Sequence, residues 1–223
     1  MKKLGVLTIG QSPRPDMLED LIPIFGSHVD LVEMGALDGL DEAAIQNLAP
    51  GPKDRILVTK LADGRVVQVA EAGLMGCMEE KVRLLEEQDV SCIFILCTAR
   101  FDGLKSTVPC IEPGSVLNRM VPLCAATSSI GVLSPEPEQI PSTKKDWNGV
   151  VKHIEVLTAS PYGEDLLMEE AGRQFGQMDI DLIVLDCMGY QEKHRKLVAA
   201  ASGKPVILSK ALAAKVVSEL LED

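Results

Sequence analysis

Two cysteines each follow a short apolar run of the sequence. Cys97 comes directly after residues 92–96, and Cys187 lies just beyond residues 182–185. Runs of this length and composition predict strands that are buried on both faces of a parallel sheet. A thiol at the carboxyl end of such a strand, beside the N-terminus of the next helix, lies where open α/β folds bind their ligands. The sequence therefore singles out Cys97 and Cys187 as candidates for chemistry.

A pair of thiols could move a proton on or off a carbon that lies next to a carboxylate. Such a reaction needs an acid and a base on opposite faces of that carbon, and a thiol and a thiolate can fill both roles. We predict that Cys97 and Cys187 fill them. The alternative is that both are ordinary buried residues, since free cysteine is among the most buried residue types. That structural role is our prediction for the remaining cysteines, Cys77, Cys92, Cys110 and Cys124.

The polar loop after the first predicted strand is a second candidate site. It offers backbone N–H groups, the amide of Gln11, the hydroxyl of Ser12 and the guanidinium of Arg14. Such a set suits a carboxylate or a phosphate, which arginine can bind through two hydrogen bonds. The spacing lacks the glycines of a P-loop or a dinucleotide fingerprint. The alternative is a capped turn in which Arg14 pairs with a nearby acid such as Glu19 or Asp20.

Asp186 directly precedes Cys187, and the sequence leaves its role open. Its carboxylate could orient a ligand, raise the pKa of the thiol by charge repulsion, or cap the helix that follows. His194 lies further along that helix, where we expect its ring to face solvent.

Metal and cofactor chemistry have no support in the sequence. The histidines are scattered, and no Cys-x-x-Cys or His-x-x-x-His spacing occurs. The Gly-x-Ser-x-Gly pattern of serine hydrolases is also absent. We therefore expect no metal and no cofactor.

The composition limits the classes of partner. The chain of 223 residues is 46% hydrophobic and carries a net charge of −11, so nucleic acid and anionic membranes are poor partners. Aromatic residues make up only 3%, which weakens any case for base stacking. Because no signal peptide or membrane-spanning run is visible, we expect a cytoplasmic protein with reduced thiols.

Strand and helix patterns alternate along the chain, which predicts parallel sheets covered by helices. The predicted strands are residues 3–9, 29–34, 55–60, 65–69, 92–96, 130–133, 153–158, 182–185 and 205–208. The predicted helices are residues 16–25, 41–48, 72–88, 115–124, 164–175, 191–201 and 211–221. Asp63-Gly64 separates two of the strands and predicts an antiparallel hairpin.

The two halves of the chain echo each other, since each contains a strand, a cysteine, a loop and a helix in that order. We therefore predict an α/β fold of two Rossmann-like parallel-sheet lobes, with the antiparallel hairpin inserted in the first. The predicted N-terminal lobe comprises residues 1–100 with 205–223, and the second lobe comprises residues 101–204.

Four stretches of the sequence resemble the AroM family. They are Leu7-Thr8-Ile9-Gly10-Gln11-Ser12-Pro13-Arg14, Gly35-Ala36-Leu37-Asp38-Gly39-Leu40, Leu96-Cys97-Thr98 and Leu185-Asp186-Cys187-Met188-Gly189-Tyr190. That family is similar to the aspartate/glutamate/hydantoin racemase superfamily. The resemblance implies two α/β lobes with the active site between them, and two catalytic cysteines at strand ends, which map onto Cys97 and Cys187.

We predict that the loop residues Gln11, Ser12 and Arg14, together with Thr98, bind the carboxylate. Asp186, Met188 and Gly189 complete the predicted ligand site, and the resemblance implies that the positions next to the two cysteines hold the ligand. The racemase pattern commonly has Asn-Thr after the first cysteine and Gly-Cys-Thr around the second, whereas this chain has Thr98-Ala99 and Asp186-Cys187-Met188.

We expect a cofactor-independent, racemase- or isomerase-like enzyme that acts on a small carboxylate, either an amino or a hydroxy acid. One alternative is a non-catalytic protein that binds a small metabolite on the same scaffold. Another is an interaction partner linked to the shikimate pathway. The resemblance is compatible with a homodimer.

Overall fold

A computed structural model describes residues 1–26 and 28–222 of the protein. It confirms the predicted α/β fold, with two parallel four-stranded sheets and one antiparallel pair of strands. The strands of the described chain are β1 Lys2–Thr8, β2 Val29–Gly35, β3 Ile56–Lys60, β4 Val66–Ala70, β5 Cys92–Leu96, β6 Cys110–Ile111, β7 Ser129–Ser134, β8 His153–Thr158, β9 Leu182–Leu185 and β10 Val206–Leu208.

Helices connect these strands. Those of the described chain are α1 Pro15–Leu18, α2 Ile22–Phe25, α3 Glu42–Gln46, α4 Glu71–Glu86, α5 Pro113–Cys124, α6 Ile140–Trp147, α7 Asp165–Gly176, α8 Glu192–Ser202 and α9 Ser209–Leu221, with a short 3₁₀ helix at Pro137–Gln139.

The chain divides into two compact units. Unit 1 comprises residues 1–113 and 214–223, and unit 2 comprises residues 114–213. These boundaries differ from the predicted ones because the predicted strand at 205–208 pairs with β9, which places it in the sheet of unit 2.

The two parallel sheets have the same topology. The strand order is β2-β1-β5-β6 in unit 1 and β8-β7-β9-β10 in unit 2, so β5 and β9 occupy equivalent central positions. The ends of the first two strands in each sheet are also equivalent. Ala36 N–H donates to the Thr8 carbonyl at 2.9 Å, and Ala159 N–H donates to the Ser134 carbonyl at 3.1 Å. The similarity between the two halves of the chain is therefore a repeat of one strand topology.

The apolar run of β9 is continuous because both faces of its sheet are covered. Ile183 and Leu185 pack into a cluster with Phe175 of α7, while Leu182 and Val184 pack into a second cluster with Trp147. Alternate side chains of a strand point to opposite faces, so both sets must be apolar. The same reasoning explains β5, in which every residue is buried.

The hairpin in unit 1 forms as predicted. β3 and β4 pair in antiparallel register, with Ile56 opposite Ala70 and Lys60 opposite Val66. Gly64 in the connecting turn has a φ of +86°, a conformation that favours glycine.

The predicted helix over residues 16–25 is instead the two short helices α1 and α2. Pro23 lies in the first turn of α2, where its missing N–H costs nothing, whereas in the interior of one continuous helix it would break a hydrogen bond. β6 was not predicted, since a strand of only two residues leaves no periodic pattern to detect.

A stability prediction follows from two equivalent glycines. An added methyl at Gly131 of β7 would lie 2.7 Å from the Phe175 ring and from Ile180 Cδ1, whereas at Gly5 of β1 the nearest atoms are 3.3 Å away. We expect Gly131→Ala to lower the free energy of unfolding by about 1–3 kcal/mol, because overpacking a rigid ring forces its neighbours to move. Circular dichroism during urea unfolding measures this change.

The matched control for this prediction is Gly5→Ala, whose cost should be clearly smaller. The fluorescence of Trp147, the single tryptophan of the chain, should follow the loss of unit 2 in Gly131→Ala. Equal destabilisation by the two substitutions would contradict the packing argument.

Candidate active site

Cys97 lies immediately after β5, at the carboxyl end of the sheet in unit 1. Its side chain is buried, with a relative exposure of 9%. The backbone N–H of Ala99 donates to its Sγ at 3.4 Å. Thr98, the predicted ligand-binding residue between them, is half-buried.

Cys187 follows β9 in unit 2 and is half-buried. The N–H of Gly189 donates to its Sγ at 3.3 Å. A Cβ at position 189 would lie 2.9 Å from Pro161 Cγ and 3.0 Å from Tyr162 Oη. Glycine is therefore required there, because the loop after β8 packs directly on the turn that holds the thiol.

The two thiols share one local geometry. In each unit, the sulfur accepts an N–H from the residue two positions ahead, at the end of the equivalent central strand. A hydrogen bond donated to sulfur stabilises the charged thiolate relative to the thiol. Burial raises the pKa of the Cys92 thiol to about 11 and that of the Cys110 thiol to about 12.

Asp186 is held by the core of unit 2. Its Oδ2 accepts a hydrogen bond from Trp147 Nε1 at 3.2 Å, and its backbone N–H donates to the Leu133 carbonyl at 3.0 Å. The helix-capping role is excluded, because Gln191 occupies the cap position of α8.

The residues after Cys187 pack inward. Met188 has a relative exposure of 2%. Tyr190 is fully buried, which raises its pKa, and its hydroxyl donates to the Ala159 carbonyl at 2.7 Å. The prediction that His194 faces solvent is wrong. It is 1% exposed, and its Nδ1 accepts the N–H of Gln191 at 3.0 Å, because the first turn of α8 uses the ring as a cap.

The predicted loop at residues 10–14 is tied to its own unit. Gln11 Nε2 donates to the Leu37 carbonyl at 3.3 Å, and its Oε1 accepts the N–H of Ala62 at 2.8 Å. Gln11 therefore fixes the loop to the hairpin. Thr8 pairs with Leu96 in the sheet, so this loop leaves the same edge from which Cys97 projects.

Asp38 organises this loop, and it was not among the predicted site residues. Its Oδ1 accepts the N–H of Ser12 at 2.8 Å. Its Oδ2 accepts the hydroxyl of Ser12 at 2.5 Å and the N–H of Gly35 at 2.7 Å. A Cβ at Gly35 would lie 2.7 Å from this carboxylate. The sequence does contain a signal that could have identified Asp38. It lies shortly after a strand end, in the second of the four stretches that resemble the AroM family.

Arg14 has an internal partner. Its Nε and Nη2 donate to the two carboxylate oxygens of Asp16 at 2.8 and 2.9 Å, and its backbone N–H donates to Glu33 Oε2 at 2.9 Å. Arg14 thus pairs with a nearby acid, as in the predicted alternative of a capped turn, and Asp16 provides this pairing. Hydrogen bonding to Arg14 lowers the pKa of Asp16 below its ordinary value of 3.8.

The structure thus brings the predicted residues together within each unit. Unit 1 holds the loop of Gln11, Ser12 and Arg14 at the edge that carries Cys97. In unit 2, the turn after β9 carries Asp186, Cys187, Met188 and Gly189.

Within residues 1–26 and 28–222, no three His, Cys, Asp or Glu side chains form a group that could hold a metal ion. No helix in the same ranges is long and apolar enough to cross a membrane.

Comparison with known families shows to which family the chain belongs. The family model described as AroM protein matches residues 4–221. The chain belongs to the AroM family. No curated protein sequence matches this AroM protein.

Solved structures share the fold of this AroM protein at low sequence identity. Allantoin racemase from Klebsiella pneumoniae is 16% identical, with a TM-score of 0.67 over 99% of this chain and 88% of that one. Maleate isomerase Iso from Pseudomonas putida S16 is 12% identical, with a TM-score of 0.65 over 99% and 92%. Arylmalonate decarboxylase is 13% identical, with a TM-score of 0.65 over 100% and 93%. The predicted likeness to the aspartate/glutamate/hydantoin racemase superfamily is confirmed at the level of fold.

Removing Asp38 tests its role in the loop. Asp38→Ala leaves three donors without their carboxylate, so we expect faster deuterium exchange of the amides in residues 10–14. The free energy of unfolding should fall by about 1–3 kcal/mol. Hydrogen–deuterium exchange by mass spectrometry and urea unfolding measure the two effects.

The control for this test is Asp41→Ala. It removes the side chain that accepts the N–H of Ala44 and caps α3, so it should cost about 1 kcal/mol and leave exchange in the loop unchanged. Unchanged protection of residues 10–14 in Asp38→Ala would refute the organising role of Asp38.

The lowered pKa of Asp16 predicts a pH dependence of stability. Ionised Asp16 adds stability above its ordinary pKa of 3.8, and this part is lost as the pH falls through the lowered value in the folded state. The deficit of Asp16→Asn relative to the wild type should therefore be largest near neutral pH and shrink below about pH 4. Urea midpoints across this range measure it. Asp30→Asn removes an exposed acid as a control, and a constant deficit in Asp16→Asn would contradict the pairing with Arg14.

Proposed function

We propose that this AroM protein is a cofactor-independent, racemase- or isomerase-like enzyme that acts on a small amino or hydroxy acid. Cys97 and Cys187 serve as its acid and base. One thiolate takes the hydrogen on the carbon next to the carboxylate as a proton, and the electron pair left behind is delocalised into the carboxylate. The other thiol then gives its proton to the opposite face of that carbon.

The observation that carries this proposal is the shared geometry of the two thiols. Each stands at the end of the equivalent central strand of its own unit, and each accepts an N–H from the residue two positions ahead. A backbone donor at each sulfur favours the charged thiolate, which is the form that acts as a base.

The substrate class rests on the polar groups near these thiols. The loop of Gln11, Ser12 and Arg14, together with Thr98, provides donors in unit 1, and Gly189 with Asp186 and Met188 forms the turn in unit 2. The side-chain groups of Gln11 and Ser12 and the backbone N–H groups of Gln11, Ser12 and Arg14 are bound internally. We therefore propose that the guanidinium of Arg14 and the hydroxyl of Thr98 are the main donors to the carboxylate.

The names of the structural neighbours support the reaction class. They are a racemase, an isomerase and a decarboxylase. Racemisation of an amino or hydroxy acid places negative charge on the carbon next to its carboxylate, and loss of one carboxylate from a malonate does the same. We also propose a cytoplasmic location with reduced thiols, which agrees with the free cysteines of the structure.

A second candidate is a protein that binds a small metabolite without turnover. The observation that favours it is the internal commitment of polar side chains, since Arg14 is bound to Asp16 and Asp186 to Trp147. A link to the shikimate pathway belongs to this second candidate, and shikimate is therefore included among the ligands tested.

The test is exchange of substrate hydrogen with solvent. A panel of D- and L-amino acids and hydroxy acids is incubated with the protein in D₂O, and deuterium on the carbon next to the carboxylate is followed by NMR. Shikimate, whose carboxylate-bearing carbon carries no hydrogen, is tested for thermal stabilisation of the protein. We expect exchange with at least one acid. Cys97→Ser and Cys187→Ser should each reduce the rate by at least about a hundred-fold, because serine is a far weaker acid and base at neutral pH.

Cys124→Ser, at an exposed cysteine, is the matched control and should retain the full rate. Thermal unfolding of each variant shows whether the fold is intact. Full activity in Cys187→Ser would refute the two-thiol assignment. Stabilisation of the protein by an acid that shows no exchange would favour the binding protein.

A further inference from the structure

Lys210 occupies an electrostatically unfavourable position. It is fully buried, with a relative exposure of 0%, and it is the second residue of α9. The N-terminal end of a helix carries partial positive charge, so a lysine there is disfavoured, and burial of an ammonium group costs several kcal/mol more unless negative charge lies near it. A charged lysine at such a position needs negative charge nearby.

The fold places Lys210 beside the turn that carries Cys187. β10 pairs with β9 in parallel, with Leu208 opposite Leu185. Ser209 Oγ donates to the carbonyl of Cys187 at 3.2 Å. Lys210 therefore begins its helix at the same sheet edge and next to the same turn as the thiol.

The other titratable groups around this turn are mainly acidic. The pKa of Tyr190 is raised by burial first, and then by the negative charges of Cys187, Asp186 and Glu136, so these groups share one environment. The charges of Asp186 and Glu136 would oppose a thiolate at Cys187, and a cation on the helix that begins beside this turn would offset them.

Three further groups lie near this turn, and one of them is the acid Asp165, whose Oδ1 is 3.9 Å from His194 Nε2. Tyr162 Oη lies near Gly189, and the ring of His194 contacts that of Tyr190 edge-on, with centroids 6.0 Å apart. His194 Nδ1 accepts an N–H from Gln191, which requires a ring nitrogen without a proton.

The equivalent helix of the repeated topology lacks such a cation. α5 follows β6 as α9 follows β10, and its first residues are Pro113, Gly114 and Ser115, none of which is charged. The surroundings of the two thiols therefore differ, since a lysine lies in the first turn of α9 and no charged residue lies in the first three positions of α5.

We propose that Lys210 is a positioning residue that holds Cys187 in the thiolate form, so that Cys187 is the base of the resting protein and Cys97 is the acid. The assignment of roles rests on the proposed function. After one turnover the proton taken by Cys187 and the proton lost by Cys97 are exchanged with water, which restores the resting state.

The experiment measures the alkylation of individual cysteines as a function of pH. The full-length protein is treated with iodoacetamide across roughly pH 5–9, and each cysteine-containing peptide is quantified by mass spectrometry, because only the thiolate reacts. In the wild type, Cys187 should react at lower pH than the exposed Cys124. In Lys210→Gln the midpoint for Cys187 should rise by about one to three pH units, while that of Cys124 stays constant.

The matched control is Lys215→Gln, which removes the same charge from an exposed position of α9 and should leave the Cys187 profile unchanged. Lys210→Arg keeps the charge and should retain the low midpoint. A folded Lys210→Gln protein with the wild-type profile would overturn the proposal. If Lys210→Gln does not fold, the wild type decides, since a Cys187 that titrates no earlier than Cys124 overturns it without any variant.

This result is independent of the proposed function. A shifted profile without hydrogen exchange on any acid would support Lys210 as the partner of the thiolate and refute the enzymatic reaction. Hydrogen exchange that Lys210→Gln leaves unchanged, with an unchanged alkylation profile, would support the enzyme and overturn the role of Lys210.

Discussion

The hydrogen bond from a backbone N–H to the sulfur of a strand-end cysteine is the interaction on which this account depends. It forms because the central strand of each parallel sheet ends at the cysteine, and the chain turns at once, which brings the second amide that follows back over the sulfur. The turn after Cys187 needs Gly189, since Pro161 and Tyr162 fill the space that a side chain would take. Core packing, strand order and local turn geometry thus together fix the position of each thiol.

Much of this architecture could be predicted from the sequence because it depends on local patterns. The bounds of β8 and β9 are those predicted, since apolar runs between bending residues are strong signals. The hairpin at Asp63-Gly64 is equally local. The wrong predictions concern features that no hydrophobic pattern encodes. The break between α1 and α2 depends on the position of Pro23 in the first turn of α2. The burial of His194 depends on the hydrogen bond by which its ring caps α8.

The site itself was only half predictable. Strand ends indicated Cys97 and Cys187 as candidates, but the partner of each polar side chain depends on the tertiary structure. Arg14 binds Asp16, and Asp38 reaches across to Ser12 from the end of a neighbouring strand. Hydrophobic periodicity contains no information on such pairings, because exposed and internally bonded polar residues look alike in a sequence.

The central claim is that the two thiols serve one small carboxylate. The most direct measurement is protection of each thiol from iodoacetamide during titration with an acid that stabilises the protein. At a pH at which both thiols react in the absence of the acid, Cys97 and Cys187 should be protected together, with the same midpoint, while Cys124 continues to react. Protection of only one of them, or of neither, at saturating acid would contradict the account.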